Sequence, residues 1–125
     1  MANPYLDMQV RTASPVALLA QLYDAALRHV EAARRHHEAG RVRERGEAIS
    51  RALAIVGELR SSLDFERGAD LAPRLEELYV YASERLFEAN QRNAVVELAA
   101  AASVLGPLRD AWHELAERPV AELGG

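Results

Sequence analysis

Apolar residues recur every three or four positions along four separate stretches of this 125-residue chain, and that periodicity excludes most architectures. Steps of three and four keep side chains on one face of an α-helix, whereas a half-buried strand alternates. The first stretch opens at Ser14-Pro15: Ser is a preferred N-cap, and Pro suits the first turn because its missing N–H would have no partner there. Val16, Leu19, Leu22, Tyr23, Ala26, Leu27, Val30 and Ala33 share one face, with Gln21, Asp24, Arg28, Glu31 and Arg35 opposite, and Gly40 marks the stop. A second helix is predicted from Val42 to Leu63 on the stripe Ile49, Ala52, Val56, Leu59, Leu63, weakened at Gly46 and Gly57 by about 1 kcal/mol each relative to Ala. After a break centred on Gly68, a third runs from Asp70 to Asn90 and is expected to bury Leu71, Leu75, Leu78, Tyr79, Ala82, Leu86 and Ala89. The fourth, Ala94 to Glu117, carries Leu98, Ala101, Leu105, Leu108, Trp112 and Leu115 in the alternating steps of a bundle seam. The stripe keeps its phase across Gly106-Pro107, which predicts a kink and not a break.

Four amphipathic helices on short connections predict an all-α protein, an antiparallel four-helix bundle over residues 14–117. No internal repeat is present. Residues 118–125 read as a flexible tail. The stretch "NPYLDMQVRTASP" (Asn3 to Pro15) precedes the bundle with period-two spacing of Tyr5, Leu6, Met8 and Val10, yet no second strand exists for it to pair with. Residues 1–13 are therefore expected to form an extended or short helical cap segment lying along apolar grooves of the bundle.

The residues offer little chemistry. The net charge of −4 gives no global pull toward nucleic acid or anionic membrane. Every basic residue is Arg, a compositional habit. The absence of Cys removes disulfides, thiol nucleophiles and thiolate metal sites. No basic segment followed by an apolar run marks a secretory signal, and no stretch approaches the roughly 18 consecutive apolar residues of a membrane span, so a soluble cytoplasmic protein is expected. His36 and His37 point about 100° apart on a helix and cannot share one metal. The Glu-x-x-His pairs of di-iron bundles are missing; Asp110-x-x-His113 stands alone. The histidines read as solvated residues favoured beside a helix C-terminus. "RVRER" (Arg41 to Arg45) reads as a solvated helix start, and Glu76-Glu77 as ordinary surface. No phosphate loop or nucleophile elbow occurs. The expectation is no enzyme, no cofactor and no metal.

Apolar residues off the core faces are more informative. Val80 and Phe87, seven residues apart, lie about 150° from the centre of the third helix's core stripe. Tyr81 sits at the opposite fringe and Leu18 at the edge of the first helix. A second i, i+7 stripe on a bundle is what a groove for another amphipathic helix looks like.

These residues also resemble a family, the flagellin export chaperones of bacterial flagella (the FliS family). The likeness rests on Tyr5, Val10, Thr12-Ala13-Ser14-Pro15, Leu18, Leu22-Tyr23-Asp24 and Ala26; on "ELRSSLD" (Glu58 to Asp64) followed by Gly68 and Leu71-Ala72; on "LEELYVYASERLFEAN" (Leu75 to Asn90); and on "LGPLRDAWHE" (Leu105 to Glu114). It runs in order over Asn3 to Glu114. Gln21 and Ala25 depart from the family's Met-Leu-Tyr-Asp-Gly-Ala run, and "GRVRER" lacks the Asp-led start of its second helix. The resemblance implies a chaperone that binds the C-terminal segment of flagellin, prevents premature polymerisation and delivers it to the flagellar export apparatus, whose components are possible further partners. The partner surface expected on this basis comprises Tyr5, Leu6, Val10, Leu18, Leu22, Tyr23, Asp24, Val80, Tyr81 and Phe87. The alternatives are a bundle that forms a homodimer through Val80 and Phe87 and has no client, and a ligand- or metal-binding bundle using the histidines.

Overall fold

Ser14 Oγ accepts a hydrogen bond from the Ala17 N–H at 3.0 Å, Pro15 follows at the first helical position, and α1 (Pro15–Glu38) begins where the sequence signals it. The computed structural model describes residues 14–118. α1 ends in a basic turn, Arg35, His36 and His37, which complements the negative end of the helix dipole. Gly40 follows with φ +74°, a left-handed conformation that costs Gly nothing. Next come α2 (Val42–Ser61), α3 (Leu71–Gln91) and α4 (Ala94–Glu117), with no strand among the described residues. α1 packs on α2 and α4, and α3 closes the square by packing on the same two helices. Short turns reverse the chain each time, so neighbours run antiparallel, as expected of an up-and-down bundle.

α2 stops two residues short of the expected Leu63. The Ser62 and Leu63 amides turn back onto the Glu58 and Arg60 carbonyls, and Asp64 then captures the chain. Its Oδ1 accepts from the Glu66 and Arg67 amides, both at 3.0 Å, and its carbonyl accepts from Gly68 N–H at 2.7 Å. Gly68 is required here: an added Cβ would sit 2.6 Å from the Asp64 carbonyl oxygen and 2.8 Å from Ala72 Cβ. At the other junction Asn93 takes a left-handed turn (φ 51°), which Asn tolerates, and α4 starts at Ala94. α4 continues through Gly106-Pro107 as one helix.

The core contains Tyr23, Val30, Ile49, Val56, Leu59, Leu75, Tyr79, Leu86, Leu98 and Leu105, interleaved with as many buried alanines. Fully burying each large side chain contributes about 1.5–3 kcal/mol. Alanines on facing helices let the axes approach closely, so the core is thin and residues at the margins of each stripe are left partly uncovered.

That thinness corrects several expectations. Leu71 and Leu78 do not join the core: they are 55% and 37% exposed. Leu71 opens α3 at the end of the bundle. Leu78 sits next to Tyr79, about 100° around the helix, and Tyr79 takes the inward position. Leu63, Leu108, Trp112 and Leu115 are half-buried, since the seam of α4 runs out toward the open end of the bundle. Conversely Ala20 and Ala48, outside the expected stripes, are buried. The cap segment 1–13, with Tyr5, Leu6 and Val10, and the last tail residues 119–125 lie outside the described residues.

Candidate partner-binding surface

The end of the bundle where α1 starts and α4 finishes is hollow. An apolar cavity of about 300 Å³ opens there, walled by Leu19 of α1, Leu59 and Leu63 at the end of α2, Leu71 and Leu75 of α3, and Trp112 of α4. Tyr79 forms part of its floor, and its hydroxyl bonds the Tyr23 hydroxyl across the bundle, with the rings tilted and 6.3 Å apart. Burial raises both phenol pKa values above the ordinary range. The hydrogen bond with Tyr79 holds back the rise at Tyr23, while the contact with Tyr23 adds to the rise at Tyr79. Both rings therefore stay neutral hydrogen-bonding groups that fix α1 against α3. One residue along, His113 Nε2 reaches both carboxylate oxygens of Asp24, at 2.9 and 2.8 Å, tying α4 to α1.

A second concavity, about 430 Å³, lies on the flank where α3 meets α2, between Leu53 and Phe87, with Ser83, Glu84, Arg85 and Glu88 around it. Phe87 is 58% exposed. Val80, one helical repeat earlier, is half-buried. On the α4 side of α3, Tyr81 is exposed and lies under the Arg85 guanidinium, 5.6 Å from the ring centroid, while Arg85 is held by Glu97 of α4 at 2.8 Å. Arg85 thus pins Tyr81 in an outward position.

α4 adds a surface that the stripe analysis missed. From Leu98 to Leu108 it carries no charge, and its outward residues include Val95, Val96, Ala99, Ser103 and Pro107, all exposed. An uncharged outer face on a solvent-facing helix is unusual for a bundle. The signal was present as an eleven-residue stretch without a single Asp, Glu or Arg.

The expected partner residues therefore divide. Tyr23 has no accessible surface and supports the site from within; Asp24 is engaged with His113. Leu18 and Leu22 are half-buried on α1. Val80 and Phe87 face the α2 flank, and Tyr81 faces the α4 flank. The structure does not gather them into one pocket.

The histidines fall apart in the same way. His113 pairs with Asp24 and not Asp110. His36 Nδ1 accepts from Arg41 Nε and His37 Nδ1 lies 3.0 Å from Arg45, so both sit at the α1–α2 turn among arginines. Burial and the charges of Arg51 and Arg28 lower the pKa of His29. Among the described residues no three His, Asp or Glu side chains are grouped to hold a metal ion. No described helix is long and apolar enough to cross a membrane.

Several known proteins are similar to this chain along most of its length. The family model described as flagellar protein FliS matches residues 1–119. The flagellar secretion chaperone FliS of Salmonella typhimurium is 34% identical over 118 residues, covering 94% of this chain and 87% of the relative. The flagellar secretion chaperone FliSB of Pseudomonas aeruginosa is 36% identical over 107 residues, 86% of this chain and 85% of the relative. FliS of Bacillus subtilis is 30% identical, over 90% of this chain and 85% of the relative.

Proposed function

The chain belongs to the FliS family of flagellar secretion chaperones, and from that premise we propose that it binds the C-terminal segment of flagellin in the cytoplasm. In this reading the bound segment is kept from polymerising until the subunit is delivered to the flagellar export apparatus. The observation that carries the reading is the number of large apolar side chains left exposed on α3 and α4. Tyr81 and Phe87 are 43% and 58% exposed, and Val95 and Val96 are 54% and 66% exposed.

A segment that is disordered when free folds onto such a surface as an amphipathic helix, burying its own apolar stripe. The ordering it undergoes lowers the net affinity per buried area, which suits a chaperone that must release its client. Val80, Tyr81 and Phe87 are the proposed anchors on α3, and Leu18 and Leu22 extend the surface onto α1. Tyr23 and Asp24 hold the framework beneath. In the same proposal, Tyr5, Leu6 and Val10 cover part of the apolar surface in the client-free protein and line it in the complex.

The test is capture by the tagged protein from the cytoplasm of its own flagellated cells. Flagellin as the dominant captured protein supports the reading. A tagged protein that returns only copies of itself contradicts it and leaves the clientless dimer.

A further inference from the structure

Most arginines of the bundle meet a carboxylate, from Arg34 with Glu31 and Glu38 to Arg118 with Glu114 at 3.2 Å. Among the described residues five do not: Arg28, Arg41, Arg45, Arg51 and Arg74. All but Arg74 fall on the hairpin of α1 and α2. Arg41 Nε donates to His36 Nδ1, and Arg45 lies 3.0 Å from His37 Nδ1. A histidine nitrogen accepts the proton but brings no negative charge. Arg45 Nε is buried and has no partner among the described residues. Burial and then the charges of Arg51 and Arg28 lower the pKa of His29, so these two guanidiniums stand near that ring. His29 and His36 are seven residues apart on one face of α1, which spreads the cations over about 10.5 Å of the hairpin.

The arrangement is unfavourable within the fold. Arg41 occupies the N-cap of α2 with no side-chain cap bond, and Arg43 and Arg45 follow close behind, at the positive end of the helix dipole. The carboxylates of the hairpin are engaged elsewhere: Glu31 and Glu38 with Arg34, and Glu47 with Arg43. Among the described residues of the hairpin only Glu44 is left, so four free cations stand against one free anion. Local rules broken without compensation inside a fold mark a place where something outside supplies it.

We propose that the α1–α2 edge of the bundle is a second interaction surface, which takes an acidic segment of a partner protein whose carboxylates are spread over about 10 Å. Charge selects the occupant. Guanidinium forks pair with carboxylates in two parallel hydrogen bonds. A single phosphate does not span the row. Duplex nucleic acid, with a charge about every 1.7 Å, presses its further phosphates against a chain of net charge −4, and an anionic membrane does the same. A second copy of this hairpin brings arginine against arginine. In the square of helices the α1–α2 edge lies opposite the α3–α4 edge, which carries the exposed Tyr81, Phe87, Val95 and Val96. The acidic segment therefore docks on the side away from that apolar surface, and the proposal does not depend on the client reading.

The experiment titrates a short oligoglutamate peptide into the full-length parent, an Arg28→Gln/Arg51→Gln variant, an Arg41→Gln/Arg45→Gln variant and an Arg74→Gln/Arg118→Gln control, at low and high NaCl. Inorganic phosphate and a duplex DNA oligonucleotide are titrated into the parent alongside. Circular dichroism checks each fold. Arg28 and Arg51 are exposed, so their variant keeps its fold even where the half-buried Arg45 does not tolerate Gln. The parent is expected to bind the peptide saturably, and more weakly as salt rises. Each hairpin variant binds about threefold to tenfold more weakly, the loss of two exposed pairs of ordinary strength, while the control binds as the parent does. A parent that does not bind the peptide at low salt, an equal loss in the control, or tighter binding of phosphate or DNA than of the peptide overturns the proposal.

Discussion

The hydrogen bond between Tyr23 and Tyr79 gives a prediction whose sign pattern is hard to obtain by accident. Tyr23 has no accessible surface and Tyr79 is 2% exposed, so each hydroxyl has left water for the other. Replacing one ring by Phe preserves the packing and leaves the other hydroxyl without its partner. The penalty is the desolvation of an unsatisfied group, about 1–3 kcal/mol. Tyr79→Phe and Tyr23→Phe are both expected within that range, because each leaves the other ring's hydroxyl without its partner. Replacing both removes both orphans, and the double variant is expected within about 1 kcal/mol of the parent. The coupling in the double-mutant cycle is then about 1 kcal/mol or more in the direction of rescue. Urea denaturation followed by circular dichroism reads all four proteins on one scale, with unchanged m showing that compactness is unaltered. In a thermal melt each kcal/mol is worth roughly 4 °C in a domain of this size. Strictly additive single effects would refute the reasoning, since they would mean that the two hydroxyls do not depend on each other.

The same pair predicts an alkaline limit. Both phenols have raised pKa values in the folded protein, so above pH 10 the unfolded chain loses protons that the folded one retains. Stability is then complete below pH 10 and falls as the pH rises beyond it. The fall is shallower in the Tyr23→Phe/Tyr79→Phe variant, as urea midpoints across that range will show. Val80→Asp with Phe87→Asp is expected to leave the melting temperature close to the parent's while weakening client binding at least tenfold, about 1.4 kcal/mol. Unchanged affinity by calorimetry would remove those residues from the site, and unfolding would make them core. Deleting residues 2–11 is expected to increase self-association without client, because apolar surface loses its cover. Tyr5→Ala separately weakens client binding. A deletion variant that stays monomeric by light scattering and binds normally contradicts both.

Periodicity made the four helices legible, and the reason is local. Caps and breakers act within a few residues, so Ser14-Pro15, Gly40 and Gly68 mark their junctions without reference to the rest of the fold. The end of α2 was overrun because the Asp64 loop is held by side-chain-to-backbone bonds that compete with two more helical residues, a balance that no stripe reports. Depth was less legible than direction. Leu71, Leu78 and Trp112 sit at positions compatible with the core face, yet how far each is covered depends on the neighbouring helix opposite. The alanine-rich interior leaves the margins open. Contacts between distant segments were invisible altogether. Nothing in the order of residues joins Asp24 to His113 or sets Leu53 beside Phe87. The resemblance to flagellin export chaperones carried the functional reading further than composition or spacing did, because ordered motifs across the chain report a shared ancestor, whereas a surface stripe reports only a face.

The central claim is that this bundle holds the C-terminal segment of flagellin, and one titration tests it. Peptides spanning the C-terminal and the N-terminal segments of the flagellin from the same cell are titrated separately into the full-length protein by calorimetry. The account predicts saturable binding of the C-terminal peptide at one per chain, with the negative heat-capacity change of apolar burial, and no binding of the N-terminal peptide. Saturable binding of the N-terminal peptide alone, or of neither, would contradict it.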